Sequence, residues 1–94
     1  MNHTAVVDNP DASRFEMRID GQLCVIDYRR NGDVLNLTYA AVPHALSGRG
    51  HGAQLVKGAL DIIQQRHERM IPTCSFVAAY VRRHAEYQAL IDKP

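Results

Sequence analysis

The sequence has little net charge. Eleven Lys and Arg stand against ten Asp and Glu, a formal balance of +1. That leaves no long-range attraction to nucleic acid or to an anionic membrane, and no basic stripe runs through the chain. It has no apolar run near the roughly 20 residues a membrane-spanning helix needs. Met1-Asn2-His3-Thr4 lacks the basic and apolar regions of a secretory leader. There are only two cysteines, Cys24 and Cys74, without close spacing, which excludes a disulfide framework. We therefore expect reduced thiols and an intracellular, cytoplasmic protein. No His/Cys/Asp/Glu set has metal-ligand spacing, so no metal is expected. Tryptophan is absent and aromatics are 6%, yet 46% of residues are hydrophobic and 22% charged, ordinary for a soluble globular chain. At 94 residues, one domain with one modest core is expected.

Residues 1–13 are turn-rich, with Asp8-Asn9-Pro10-Asp11, and read as a frayed lead-in with a short edge strand at Ala5–Val7. Phe15-Glu16-Met17-Arg18-Ile19 alternates apolar and charged residues, the period of a half-buried strand. Asp20-Gly21 predicts a tight hairpin turn into a strand from Gln22 to Arg29. Arg30-Asn31-Gly32-Asp33 predicts a second hairpin turn. It leads into the most apolar strand, Val34 to Val42, expected at the centre of an antiparallel meander. The period then changes. Leu55, Val56, Ala59, Leu60 and Ile63 fall at helical spacing, which predicts a helix from about residue 50 to about 68. Met70 to Cys74 reads as a last strand, parallel to the third through a right-handed crossover. Ser75 is the expected cap of a second helix, with Phe76, Val77, Tyr80, Val81 and His84 on one side. A short helix from Glu86 to Ile91 finishes an α/β (α+β) fold.

Chemistry concentrates in Ser47-Gly48-Arg49-Gly50-His51-Gly52, where a strand turns through three alternate glycines into a helix. Glycine allows close backbone approach and positive φ. A helix start offers unpaired N–H groups and a partial positive charge, and Arg49 and His51 can add charge-assisted hydrogen bonds. Phosphate binding is the reading; a plain tight connection is the alternative. G-x-G-x-G matches neither the dinucleotide fingerprint nor a P-loop.

Val42-Pro43 followed by Ser47 to Val56 resembles motif A of the GNAT superfamily of acetyl-CoA-dependent acyltransferases, R/Q-x-x-G-x-G/A. The wider pattern is similar to small single-domain Yjdj-type N-acetyltransferase-like proteins. It includes Pro72-x-Cys74-x-Phe76-Val77-x-x-Tyr80-Val81-Arg82-Arg83-His84-x-Glu86-Tyr87. The resemblance covers about residues 15–91 and implies one N-acetyltransferase-like domain over residues 1–94, with 1–13 as lead-in. It implies that acetyl-CoA binds with its pyrophosphate on the amides of Ser47 to Gly52. The pantetheine arm would lie along the edge from Tyr39 through Ala41 to Val42, where the third and last strands splay apart. Three positions depart from the pattern. Ser47 replaces the Arg or Gln, Tyr39-Ala40-Ala41-Val42 replaces His-Thr-Glu-Val and removes a candidate base, and Ala85 replaces a proline.

Two further residues are catalytic candidates. Cys74 precedes a helix start, a place that favours a thiolate, and the resemblance turns it toward the thioester; a small buried filler is the alternative. Tyr80 approximately matches a tyrosine that protonates the leaving thiolate, and a core tyrosine is the alternative. Cys24, mid-strand, reads as filler. His84 with Arg82 and Arg83 reads as a solvated basic face, and His67 as a solvated helix position. The expected function is acetyl transfer to an amine, directly or through acyl-Cys74, with an unknown amine or protein acceptor. A non-catalytic acyl-CoA-binding or protein-interaction module is the alternative, motivated by small size and the missing Glu. The acceptor side is open or completed by another chain, so a monomer or weak homodimer is expected.

Overall fold

The computed structural model describes residues 5–93; the leader reading of Met1 to Thr4 lies outside them. Five strands form one sheet in the order β1-β2-β3-β4-β5: β1 (Val7–Asn9), β2 (Arg14–Ile19), β3 (Gln22–Asn31), β4 (Val34–Ala41) and β5 (Arg69–Ile71). The first four are antiparallel neighbours, and β5 joins β4 in parallel after helix α1 (His51–Gln65). Helix α2 (Ser75–Arg83) and a 3₁₀ segment (Ala85–Leu90) complete the chain. No helix among the described residues is long and apolar enough to cross a membrane.

Local chemistry explains most of this. Asp20 and Gly21 both take positive φ, 51° and 75°, the pair a two-residue hairpin with the sheet's twist requires. Alternate residues of the strands face one core: Phe15 and Met17, Cys24, Ile26 and Tyr28, Leu35 and Leu37. The apolar stripe of α1, Leu55, Val56, Ala59, Leu60 and Ile63, covers them and is fully buried. Alternation breaks once in β4. Tyr28 pairs with Leu37 while Asp27 pairs with Tyr39, so Thr38 is an extra residue at a bulge. Its hydroxyl donates to the Asp27 carbonyl at 3.3 Å.

Several expectations need correction. The lead-in is not frayed over its described part. The edge strand runs Val7–Asn9, not Ala5–Val7, and Val6 packs on Gly58 of α1. Helix α1 stops at Gln65 rather than near 68. His67 takes a left-handed conformation (φ 57°), its N–H donates to the Gln64 carbonyl at 3.1 Å, and that of Glu68 to Ile63 at 3.0 Å. This is a Schellman ending with histidine where glycine is usual, so His67 terminates the helix. The last strand is shorter than Met70 to Cys74, because Pro72 has no N–H to continue the ladder. The terminal helix is a 3₁₀ segment from Ala85 to Leu90. After it, Ile91 bridges Met70 in parallel, and the Asp92 N–H donates to the Met70 carbonyl at 2.8 Å.

Two tyrosine–aspartate–cation clusters tie α1 to its surroundings. Asp8 accepts from the Tyr28 hydroxyl at 2.7 Å and from Arg66 at 2.7 Å. Asp61 accepts from the Tyr87 hydroxyl at 2.6 Å and from Lys57 at 2.8 Å. Burial, reinforced by the aspartate hydrogen bond, pushes each phenol up to about 12. Asp61 is held below the usual carboxylate range: burial opposes this, but the bonds from Lys57 and Tyr87 outweigh it.

Candidate functional site

The site is built where β4 loses a neighbour. The β4–β5 pairing ends at Asn36 and Ile71. One further link, the Cys74 N–H donating to the Leu37 carbonyl at 2.8 Å, holds the start of α2 beside the gap. From there to Ala41, β4 pairs with β3 alone. The chain then leaves the sheet through Pro43 and a 3₁₀ turn, His44–Leu46, pinned by the buried side chain of Leu46. Ser47 closes that turn. Its N–H and its hydroxyl both donate to the His44 carbonyl, at 3.0 and 2.8 Å.

Gly48 and Gly50 follow, each with φ of 78°. Nothing lies within 4 Å of where a Cβ would stand at either. Glycine is there for the left-handed backbone, and not for space. Gly50 is the N-cap of α1, and its carbonyl accepts the first helical bond from Gln54 at 3.2 Å. Among the described residues, the N–H groups of Gly48, Arg49 and Gly50 meet no backbone acceptor. The N–H groups of His51, Gly52 and Ala53, which precede the first helical bond, likewise meet no backbone acceptor among the described residues.

These amides border a cleft of about 500 Å³. Val42, Leu46, Ser47, Gly48, Gly50, His51, Gly52 and Ala53 form one wall; Phe76, Ala79, Tyr80 and Arg83 of α2 form the other. Among the described residues, no acidic side chain lines it. A second hollow of about 210 Å³ adjoins it, lined by Ala40, Val42, Gly52, Leu55 and Phe76. Donors and a helix N-terminus on one wall, Arg83 on the other, and the adjoining apolar hollow suit a ligand with an anionic end and an uncharged remainder.

The residues singled out from the sequence are only partly brought together. Val42, Ser47, Gly48, Gly50, His51, Gly52 and Tyr80 line the cleft. Arg49 is exposed in the turn without lining it. Tyr39, 56% exposed, and Ala41 stand opposite Asp27 and Val25 of β3 and line neither hollow. Cys74 is half-buried against the core and also outside both linings. Cys74, and not Ser75, is the N-cap of α2, because its own extended backbone (ψ 128°) marks the last residue before the helix. Cys24 is fully buried, and burial pushes its thiol up.

Tyr80 is 8% exposed, and burial pushes its phenol up, so it keeps its proton at neutral pH. The His84 ring stacks on it, centroids 3.9 Å apart and planes 15° apart. The His84 Nδ1 lies 2.9 Å from the Tyr80 carbonyl. His84 is therefore a half-buried partner of Tyr80 and not part of a solvated face. It also turns the chain out of α2 (φ −130°) without the proline that Ala85 replaces. Phe76 corrects the predicted stripe as well. Val77, Tyr80 and Val81 are buried, while Phe76 is 46% exposed at the mouth of both hollows. Apolar spacing alone could not separate it from the core residues beside it.

Comparison with known proteins follows the same geometry. The model of a family described as GCN5-related N-acetyl-transferase matches residues 14–90. The fold is similar to the solution NMR structure of a GCN5-like protein from Staphylococcus aureus, with a TM-score of 0.71 and 22% identity. That likeness covers 100% of this chain and 93% of the other. Comparison with curated proteins gives no match.

Proposed function

Because the chain belongs to the GCN5-related N-acetyltransferase family, we propose that its cleft binds acetyl-CoA and that the protein transfers the acetyl group to an amine. The observation that carries this reading is the run of amides from Gly48 to Ala53 without a backbone acceptor, opening on a cleft that no acidic side chain lines among the described residues. Such a turn fits a diphosphate. The stretch of β4 past Leu37, paired on one side only, has backbone groups to offer an amide-bearing arm. Bound acetyl-CoA supplies an activated thioester.

The residues around that position have defined parts. Gly48, Gly50 and the first turn of α1 hold the anionic end, with Ser47, Arg49, His51 and Gly52 in the same turn. Tyr39, Ala41 and Val42 form the strand edge. Tyr80 keeps a proton at neutral pH, the state a general acid for a leaving thiolate requires. Cys74, beside the parting of β4 and β5, is the nucleophile of a two-step route; direct attack by the amine is the one-step route.

Calorimetric titration with acetyl-CoA tests the reading. Wild type is expected to bind. Gly50→Val, which forces a β-branched residue into φ of 78°, is expected to abolish the heat. Equal binding by the variant would remove the turn from the site. In the same samples, an added acetyl mass that disappears in Cys74→Ala supports the two-step route. Binding with neither adduct nor transfer to amines would make the protein an acyl-CoA-binding module.

A further inference from the structure

We propose that the ring of Phe76 sets the width of the passage between the two hollows, and that glycine at position 52 lets the ring take this position. The inference rests on the proposed binding of acetyl-CoA and assigns residues to its uncharged arm.

Gly52 differs from the other glycines of its turn. Gly48 and Gly50 need a left-handed backbone and have open space around them; Gly52 lies within α1 and has no positive φ. Helix propensity alone would favour alanine there. A Cβ at Gly52, however, would stand 2.6 Å from Cζ and 3.0 Å from Cε2 of Phe76. An approach that close is not tolerated, so the ring would have to move. Phe76 lines both hollows, so a displaced ring changes the passage between them.

The hollows also differ in chemistry. The first hollow offers N–H donors from the turn and Arg83 from α2, whereas the second is lined by apolar side chains and Gly52. A ligand spanning both must be anionic at one end and uncharged at the other, and must pass the ring where the two meet. A phenylalanine 46% exposed at that point leaves apolar surface that the passing arm covers.

Four proteins and two probes test this: wild type, Gly52→Ala, Phe76→Ala and the double variant, titrated with CoA and with ADP. ADP carries the diphosphate but no arm. Gly52→Ala is expected to weaken CoA about tenfold and ADP by less than about twofold. In the Phe76→Ala background, the same substitution is expected to cost CoA less than about twofold, a non-additivity that marks contact between the two sites. Equal weakening of both probes, or a full tenfold loss without the ring, would overturn the inference and return Gly52 to the diphosphate. A ligand-free arm reads the same contact. Gly52→Ala should change the melting temperature less favourably in wild type than in Phe76→Ala, where the helix preference for alanine acts alone, and an equal change in both backgrounds also overturns it. Failure of wild type to bind CoA, with the ligand-free arm as expected, would defeat the acetyl-CoA reading, and with it the role of the ring in ligand passage.

Discussion

The two ends of α1 are held in opposite ways. From its middle to its C-terminus the helix is fastened. Gly58 packs on Val6, Asp61 joins Lys57 to Tyr87, Arg66 reaches Asp8 under the Tyr28 hydroxyl, and His67 closes the last turn. Its N-terminus has two left-handed glycines, donors without backbone acceptors and an open cleft. Amides without backbone partners and left-handed glycines add little to stability, so the hold on α1 lies in the rest of the helix. A rigid helix aimed from one end can leave the other free to meet a ligand.

Breaking the anchored end should have the largest effect. Leu60 is fully buried, and Leu60→Ala is predicted to destabilise the fold by about 3 kcal/mol in urea unfolding. A loss under about 1 kcal/mol would mean that α1 is not the main cover of the sheet.

Alkali should loosen the same end next. Tyr28 and Tyr87 are raised from 10.0 to about 12 in the fold. Their contribution is whole below pH 10, where the unfolded phenols also keep their protons. It is then lost as pH rises through about 12, because the unfolded chain releases those protons first. Urea unfolding across this range should show stability falling with pH, and Tyr28→Phe with Tyr87→Phe should flatten the slope. An unchanged slope in the double variant would sink the assignment.

The smallest effect sharpens the comparison. Lys57 and Asp61 are an exposed pair one helical turn apart, with side chains 61% and 38% accessible. Lys57→Met is predicted to change stability by less than about 0.5 kcal/mol. A larger loss would place the hold on Asp61 in the lysine rather than in Tyr87.

The parts of the site that were legible are local ones. The turn from Ser47 to Gly52 could be read because glycine spacing and a helix start are adjacent in sequence. Tyr80 stands out only through its resemblance to a family tyrosine, and the same spacing reads equally as a core position. The function of Gly52 was misleading in that setting. The motif accepts glycine or alanine at this position, and only the ring of Phe76, 24 positions away in the chain, makes alanine a clash. Phe76 itself sat in an apolar stripe with Val77, Tyr80 and Val81. Helical periodicity sorts residues by face, but it does not say where the neighbouring element ends and leaves one of them uncovered. His84 looked like part of a basic run because its stacking partner lies a turn back, and the geometry of that stack depends on the end of α2.

By itself the sequence determined what neighbouring residues can settle. It specified the Asp20-Gly21 hairpin, the alternation of the strands, the amphipathic stripe of α1 and the glycine turn, since each depends on backbone preference and spacing within a few residues. The tertiary structure decided what depends on distant segments meeting. It placed the bulge at Thr38, the parting of β4 from β5 after Ile71, the two aspartate clusters that fasten α1, and Phe76 over Gly52. A close contact or a shared carboxylate is a property of two positions in space, and chain order does not encode that distance until the core has packed.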